Sequence, residues 1–208
     1  MDLNRHPVHY TEALDRLKQG NVRFTTNVRS IESLGGQQQR EALVGGQKPF
    51  AIVLSCSDSR APSELLFDCG LGDLFVVRVA GNVVAPSIVG SVEFAAAVFG
   101  TELVVVMGHT RCGAVKATVD ALRSGKDVIS ENVRDIVDRI SPAIAEVVNG
   151  GKDGDDVIGP AIRANIRVSA NHLRHGSRVL EERIAAGRLA VVGAEYSLET
   201  GKVDFFDM

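Results

Sequence analysis

The stretch Phe50–Arg60, FAIVLSCSDSR, is an apolar run that stops at Cys56 and continues into four polar residues. A second stretch, Leu103–Ala114 (LVVVMGHTRCGA), has the same form and carries His109 and Cys112 at its polar end. Short continuous apolar runs are typical of buried strands in a parallel sheet. Since the carboxyl ends of parallel strands meet at one edge of the sheet, we expect the two polar ends to lie together.

These polar ends hold the residue types that bind zinc. Cys56, His109 and Cys112 supply two thiolates and one imidazole, a set that suits zinc better than magnesium or calcium. Cys112 also opens the next predicted helix, whose N-terminus favours the thiolate form. The fourth position is left to water or to Asp58, and an open position is typical of a catalytic zinc site.

Asp58 and Arg60 follow Cys56 at steps of two residues. In an extended segment their side chains point the same way, and an arginine can hold a carboxylate through two hydrogen bonds. We therefore expect Arg60 to orient Asp58, which would either accept a hydrogen bond from zinc-bound water or ligate the zinc itself. Low pH would favour the second, closed arrangement, because the water is then protonated while Asp58 is still ionised.

Each of these residues alone has a structural explanation. A single cysteine after a buried strand, such as Cys56 or Cys112, is more often a small core residue than a ligand. A structural zinc site more often shows two CxxC pairs, and the chain has none. Only the joint pattern, C-x-D-x-R together with H-x-x-C after two buried strands, indicates a catalytic metal site.

The rest of the chain alternates between strand and helix. Strands are predicted at 50–55, 74–79, 103–107 and 189–197, and helices at 62–67, 87–99, 112–123, 131–149, 158–175 and 177–186. A surface loop is predicted at 150–156, between the helices at 131–149 and 158–175. The helix at 131–149 is expected to be interrupted near Pro142. Lys202–Phe206 is expected to pair back as a hairpin. The prediction is an α/β fold: a mostly parallel central sheet flanked by helices, with a C-terminal strand pair.

Residues 1–45 are predicted to form an N-terminal helical arm, and residues 46–208 a single α/β zinc-binding catalytic domain. Thr11–Gly20 has the pattern of a short amphipathic helix that Gly20 ends, and Ser30–Val44 is a weaker helical segment broken by Gly35-Gly36. An arm with so few apolar residues is not expected to fold alone. It should therefore lie on the main body or on a partner subunit.

The bulk composition excludes several classes of function. The chain of 208 residues has a formal net charge of −3, which gives no electrostatic case for nucleic acid or an anionic membrane. It has no signal-peptide pattern at its start and no apolar run long enough to span a membrane. Three cysteines, two of them in polar motifs, favour a reducing compartment, so a cytoplasmic location is expected.

The joint pattern resembles the beta-class carbonic anhydrases, whose hallmarks are CSDSR and HTxCG. They stand here as Cys56–Arg60 and His109–Gly113, and the resemblance continues through Gly72–Asn82 (GDLFVVRVAGN) and Gly90–Ala95 (GSVEFA). It implies reversible hydration of carbon dioxide to bicarbonate and a proton by zinc-bound hydroxide, with one Zn²⁺ per subunit. It also implies a homodimer or a dimer of dimers, in which the N-terminal arms embrace the partner subunit.

The same resemblance assigns roles to single residues. It makes Cys56, His109 and Cys112 the zinc ligands, and Asp58 and Arg60 the catalytic dyad that orients or replaces the zinc-bound water.

It also assigns three residues to substrate binding. Gln47 would line the pocket, often from the neighbouring subunit, Phe75 would form a wall of the carbon dioxide pocket, and the amide of Gly113 would bind a substrate oxygen. Two positions depart from the family pattern. Ala85 stands where many plant-type members have an aromatic residue, and Val53 replaces a tryptophan of the bicarbonate-regulatory pocket of some bacterial members. Arg78 matches another element of that pocket.

Two alternatives remain open beside a carbonic anhydrase. One is a hydrolase of the same fold that acts on a related linear molecule such as carbon disulfide, and the other is a non-catalytic scaffold that binds zinc or bicarbonate. His172 and His175, spaced three apart on a predicted helix, are expected to be solvated surface residues, and Cys69 a structural thiol.

Overall fold

A five-stranded sheet with strand order β2-β1-β3-β4-β5 forms the centre of the computed structural model, which describes residues 7–30, 35–125, 128–150 and 157–207. The strands are β1 (Ala51–Ser55), β2 (Leu74–Arg78), β3 (Leu103–His109), β4 (Ala190–Tyr196) and β5 (Val203–Phe206). The first four run parallel, and β5 pairs antiparallel with β4. The predicted mostly parallel sheet and the C-terminal strand pair are both confirmed.

Helices flank the sheet on both faces. Those among the described residues are α1 (Tyr10–Thr25), α2 (Gln37–Leu43), α3 (Ser63–Leu66), α4 (Pro86–Val98), α5 (Gly113–Ser124), α6 (Glu131–Asn149), α7 (Ile158–His175) and α8 (Arg178–Ala185). A short 3₁₀ turn, Ala80–Asn82, follows β2. No described helix is long and apolar enough to cross a membrane.

The apolar runs of the sequence become strands because both sides of the sheet are covered. All five residues of β1 are buried. Since side chains alternate along a strand, Ile52 and Leu54 join the apolar cluster beneath α4 to α8. Ala51 and Val53 face the other way and join a second cluster that includes residues of α1 and α3.

Helix α1 continues to Thr25, so the prediction that Gly20 ends it is wrong. Gly20 is buried in the helix, and a Cβ at this position would lie 1.9 Å from the carbonyl oxygen of Phe67. The glycine therefore lets α1 approach α3 closely. Ala13 and Leu17 on the same helix are fully buried against the sheet of their own chain.

The second part of the N-terminal arm is different from α1. Of the predicted segment Ser30–Val44, only α2 is helical, and residues 31–34 lie outside the described residues. None of the seven residues of α2 is buried, and the neighbouring Val44 is 86% exposed. The arm thus lies on the main body through α1, whereas α2 is left on the surface.

Helix α6 is continuous through Pro142, so the predicted interruption is wrong. Pro142 is on the exposed side of the helix, where the carbonyl group that loses its partner can be solvated. Val137, Ile140 and Ile144 form a buried stripe that holds both halves of the helix against the core. The predicted loop at 150–156 lies, apart from Gly150, outside the described residues.

Candidate metal centre

Three side chains meet at the carboxyl edge of the sheet. Cys56 directly follows β1, His109 is the last residue of β3, and Cys112 is the N-cap of α5. Their candidate ligand atoms all lie within 4.8 Å of one another, and all three residues are buried. The predicted grouping of two thiols and one imidazole at one edge of the sheet is confirmed.

The backbone around His109 fixes which of its nitrogens is free. Nδ1 lies 2.9 Å from the carbonyl oxygen of Thr110, so it donates a hydrogen bond there when it carries the proton. Nε2 is buried and has no hydrogen-bond partner among the described residues. A buried polar atom without a partner is costly, and a metal ion would satisfy it.

Cys56 is held by the 3₁₀ turn after β2. The N–H of Gly81 donates to the sulfur of Cys56 at 3.4 Å, and Asn165 of α7 donates from Nδ2 to the carbonyl of Gly81 at 2.8 Å. Gly81 has φ = 71°, and a Cβ there would lie 2.7 Å from Ile140. Glycine is therefore required for the close approach of this turn.

The two thiols shift each other's pKa in opposite directions. The Cys112 thiol, donating to Cys56, lowers the pKa of Cys56. The same interaction, together with burial, raises the pKa of Cys112. A thiolate is thus already favoured at this site, and a divalent metal that displaces the remaining proton fits the donor set. Two thiolates with one free imidazole nitrogen match zinc.

Asp58 and Arg60 form the expected pair beside this cluster. Arg60 donates from Nε to Oδ1 of Asp58 at 2.9 Å and from Nη2 to Oδ2 at 2.7 Å, and its backbone N–H also donates to Oδ1 at 2.9 Å. These hydrogen bonds hold the pKa of Asp58 below its usual range. Oδ2 of Asp58 is 3.8 Å from Nε2 of His109, so the carboxylate lies next to the three candidate ligands without belonging to their group.

Arg78, at the end of β2, holds the loop that joins Cys56 to Asp58. It donates from Nε to the carbonyl of Cys56 at 3.1 Å and from Nη2 to the carbonyl of Asp58 at 2.7 Å. Its sequence match was to a bicarbonate-regulatory pocket, and this structural role was not predicted. Val53, which replaces the tryptophan of that pocket, is fully buried in β1.

The predicted substrate-binding residues are not all at this edge of the sheet. Gly113 is the first residue of α5 and is exposed next to Cys112. Gln47 precedes β1 while Cys56 follows it, so a five-residue strand, about 16 Å long, separates them. Phe75 pairs with Ile52, near the opposite end of the sheet from the cluster.

Gln47 and Phe75 lie instead at one half-exposed apolar surface. Phe75 contacts Phe94 and Phe99, with ring centroids 6.4 and 6.0 Å away. Phe99 and Gln47 both line a groove of about 580 Å³, with Val44 on its rim. The structure of one chain therefore does not bring these two residues to its own metal centre.

Three residues outside the cluster were expected to have surface or structural roles: His172, His175 and Cys69. His172 and His175 are exposed. The thiol of Cys69 donates to the carbonyl of Phe67, and burial raises its pKa to about 12. It is therefore a structural thiol of low reactivity.

Fold and site together define an α/β protein with a metal centre of two thiols and one imidazole. A family model described as carbonic anhydrase matches residues 51–203. The chain is 40% identical over 201 residues to a carbonic anhydrase of Mycolicibacterium smegmatis, covering 97% of this chain and 94% of that protein. It is 39% identical over 199 residues to carbonic anhydrase 2 of Mycobacterium tuberculosis, covering 96% and 92%.

The structural comparison agrees with the sequence comparison. The solved structure of the beta-carbonic anhydrase CcaA superposes with a TM-score of 0.74 at 26% identity and covers 93% of this chain and 95% of that one. The chain belongs to the beta class of the carbonic anhydrase family, whose members use zinc to hydrate carbon dioxide reversibly.

Proposed function

We propose that this chain hydrates carbon dioxide to bicarbonate and a proton at the Cys56–His109–Cys112 site, with Asp58 and Arg60 as its catalytic pair. The observation that carries the proposal is the Asp58–Arg60 pair next to a buried imidazole nitrogen, Nε2 of His109, that has no hydrogen-bond partner within the described part of the chain. A structural metal site has no use for such a pair. Zinc held at these three residues would acidify a water molecule and so supply the nucleophile.

The chain's own residues then orient the reactants. Asp58 is ionised because Arg60 donates two side-chain hydrogen bonds to it, so it can accept a hydrogen bond from the nucleophile and fix its direction. The amide of Gly113, at the start of α5, is free to donate to a substrate oxygen, since the first N–H groups of a helix have no partner within the helix.

The carbon dioxide pocket is completed, in this proposal, by Gln47 and Phe75 of a second subunit. Gln47 precedes β1 and Phe75 pairs with Ile52, so both lie toward the opposite end of the sheet from their own metal centre. Both lie at an apolar surface on which Phe94 is 51% exposed and Val44 86% exposed. Exposed apolar patches of this kind mark protein interfaces. A homodimer, or a dimer of dimers, would bury the patch and bring Gln47 to the partner's site.

The residues do not favour carbon disulfide over carbon dioxide, and the scaffold alternative leaves the Asp58–Arg60 pair unexplained. A cytoplasmic location is part of the proposal, because three free thiols, two of them at the metal centre, suit a reducing compartment. The closed arrangement, with Asp58 on the zinc, stays a prediction, since here Asp58 is bonded to Arg60.

The proposal is tested by comparing substrates on zinc-loaded protein. We expect rapid hydration of carbon dioxide in a stopped-flow indicator assay and at most slow hydrolysis of carbon disulfide. Faster turnover of carbon disulfide would support the same-fold hydrolase. Full zinc loading without turnover of either substrate would support the scaffold.

A further inference from the structure

The turn between the two ligands His109 and Cys112 is held from outside by Glu199, a residue of the turn between β4 and β5. Its Oε2 accepts a hydrogen bond from the hydroxyl of Thr110 at 2.7 Å. Its Oε1 accepts one from Nε of Arg111 at 2.6 Å. One carboxylate therefore holds both residues that separate the two ligands.

Further hydrogen bonds join the turn between His109 and Cys112 to the turn between β4 and β5. The backbone N–H of Leu198 donates to the hydroxyl of Thr110 at 3.0 Å, so that this hydroxyl both donates and accepts. The backbone N–H of Thr110 donates to the carbonyl of Tyr196 at 2.9 Å. Ser197 donates to Oε2 of Glu199 at 3.3 Å, which orients the carboxylate.

Two features of the turn between His109 and Cys112 make the hydrogen bonds from Glu199 important for the metal site. Arg111 has φ = 57°, a left-handed conformation that is unfavourable for a residue with a side chain. The carbonyl of Thr110 is the acceptor for Nδ1 of His109 and so leaves Nε2 free for the metal. A shift of Thr110 or Arg111 would therefore move His109, and with it the geometry offered to zinc.

We propose that Glu199 is a positioning residue of the zinc site, acting through Thr110 and Arg111 to hold His109 and Cys112 in their metal-binding geometry. The proposal rests on the proposed function only in requiring that zinc binds at Cys56, His109 and Cys112. Outer partners of metal ligands typically affect metal affinity or activity by about 10- to 100-fold.

The competing explanation is a surface ion pair with no consequence for the metal. The side chain of Glu199 is 44% exposed and that of Arg111 is 73% exposed, and exposed pairs usually contribute little to stability. Glu182 offers a matched control, since it forms an exposed ion pair of 2.7 Å with Arg178 on α8. The two explanations differ in what they predict for zinc release.

The experiment measures zinc dissociation from loaded protein into an excess of a chelating dye, for wild type, Glu199→Ala, Glu199→Gln and Glu182→Ala. We expect zinc to leave Glu199→Ala about 10-fold faster than wild type. Glu199→Gln should be intermediate, because its amide oxygen can still accept from Thr110. Glu182→Ala should release zinc at the wild-type rate.

Two further readouts separate positioning from a general loss of stability. Substitution with cobalt should give an altered visible absorption spectrum in Glu199→Ala and an unchanged one in Glu182→Ala. The thermal midpoint of metal-free Glu199→Ala should stay close to that of metal-free Glu182→Ala. Wild-type release rates and spectra in Glu199→Ala, or a metal-free midpoint that falls in step with faster release, would overturn the proposal. A wild-type chain that binds no zinc would instead refute the proposed function.

Discussion

Asp58 lies between Arg60 and the metal centre, and in the structure it is bonded to Arg60. Its carboxylate accepts both side-chain hydrogen bonds from Arg60, while Oδ2 remains 3.8 Å from Nε2 of His109. The pKa of Asp58 lies below its usual range because Arg60 stabilises the charged form. A group with a lowered pKa stays ionised above its ordinary titration range near 4, so its charge does not change at neutral or alkaline pH.

This charge state leads to a prediction for Asp58→Asn. The asparagine has nearly the same size but no charge, so it cannot hold Arg60 through two charged hydrogen bonds or accept as strongly from the nucleophile. We expect the hydration rate to fall roughly 100-fold at about pH 9, where the site is open. The midpoint of the pH profile should move to lower pH, because an uncharged asparagine cannot close the site as the carboxylate is predicted to do. Stopped-flow rates at equal zinc content measure this.

Asp135→Asn is the matched control for that experiment, because Asp135 pairs with Arg139 on α6 through the same two-bond geometry. Its activity should stay at the wild-type level. If Asp58→Asn retained wild-type activity at full zinc loading, the catalytic role of Asp58 would be wrong. An unchanged midpoint in Asp58→Asn would count against closure of the site by Asp58 at low pH.

The residues that could be predicted from the sequence are those fixed by local pattern. Cys56 and His109 each end an apolar run, and the rule for parallel sheets then brings them to one edge. Arg78, Asn165 and Glu199 could not be predicted in this way. Each supports the site through a contact that spans at least twenty residues of chain, and such contacts leave no local spacing to detect.

For helices and strands, the difference between local pattern and long-range contact explains the two wrong predictions, a helix end at Gly20 and an interrupted helix at Pro142. Gly20 and Pro142 have strong local preferences against a helix interior, yet both lie within continuous helices. Packing decides in each case. Gly20 allows close contact with the backbone of Phe67, and the buried stripe of α6 outweighs the single hydrogen bond that Pro142 removes. Strand positions were predictable because burial on both faces requires continuous apolar runs.

The packing of α1 against α3 gives a prediction for Gly20→Ala. The added methyl would lie 1.9 Å from a backbone oxygen of Phe67, and no flexible side chain can move aside. We expect a loss of about 1–3 kcal/mol or more in the free energy of unfolding. Thermal and denaturant unfolding of the zinc-loaded protein measure it.

Gly159→Ala is the control for this substitution, because Gly159 lies in α7 and, beyond its own stretch of helix, no atom of the described residues lies within 4 Å of the added methyl. It should be neutral or slightly stabilising. Equal stability of the Gly20→Ala and wild-type proteins would show that α1 does not pack against Phe67 in solution.

At the scale of the whole molecule, the account requires two subunits for each complete substrate pocket. Subunit complementation tests this with two inactive variants, Gln47→Ala and Cys112→Ser. A mixed dimer contains one intact metal centre, from the Gln47→Ala chain, and one intact Gln47 from the Cys112→Ser chain. If Gln47 acts across the interface, random mixing should restore about a quarter of wild-type activity, because half of the dimers are mixed and each has one complete site.

The mixture must be dissociated and reassembled before the assay, and each variant reassembled alone is the control. Activity of the mixture no greater than the average of the two single variants would mean that Gln47 serves its own subunit or no site. A stable, fully active wild-type monomer in sedimentation would contradict the two-subunit pocket.

Carbon dioxide hydration followed while zinc is added back to metal-free protein measures whether the metal at Cys56, His109 and Cys112 is responsible for activity. Activity should rise in proportion to bound zinc and stop rising at one zinc per chain. Cys112→Ser, which lacks one of the two strong Zn–S bonds, should retain little zinc and little activity in the same titration. Activity that is independent of zinc, or a fully loaded wild-type chain that does not hydrate carbon dioxide, would contradict the account.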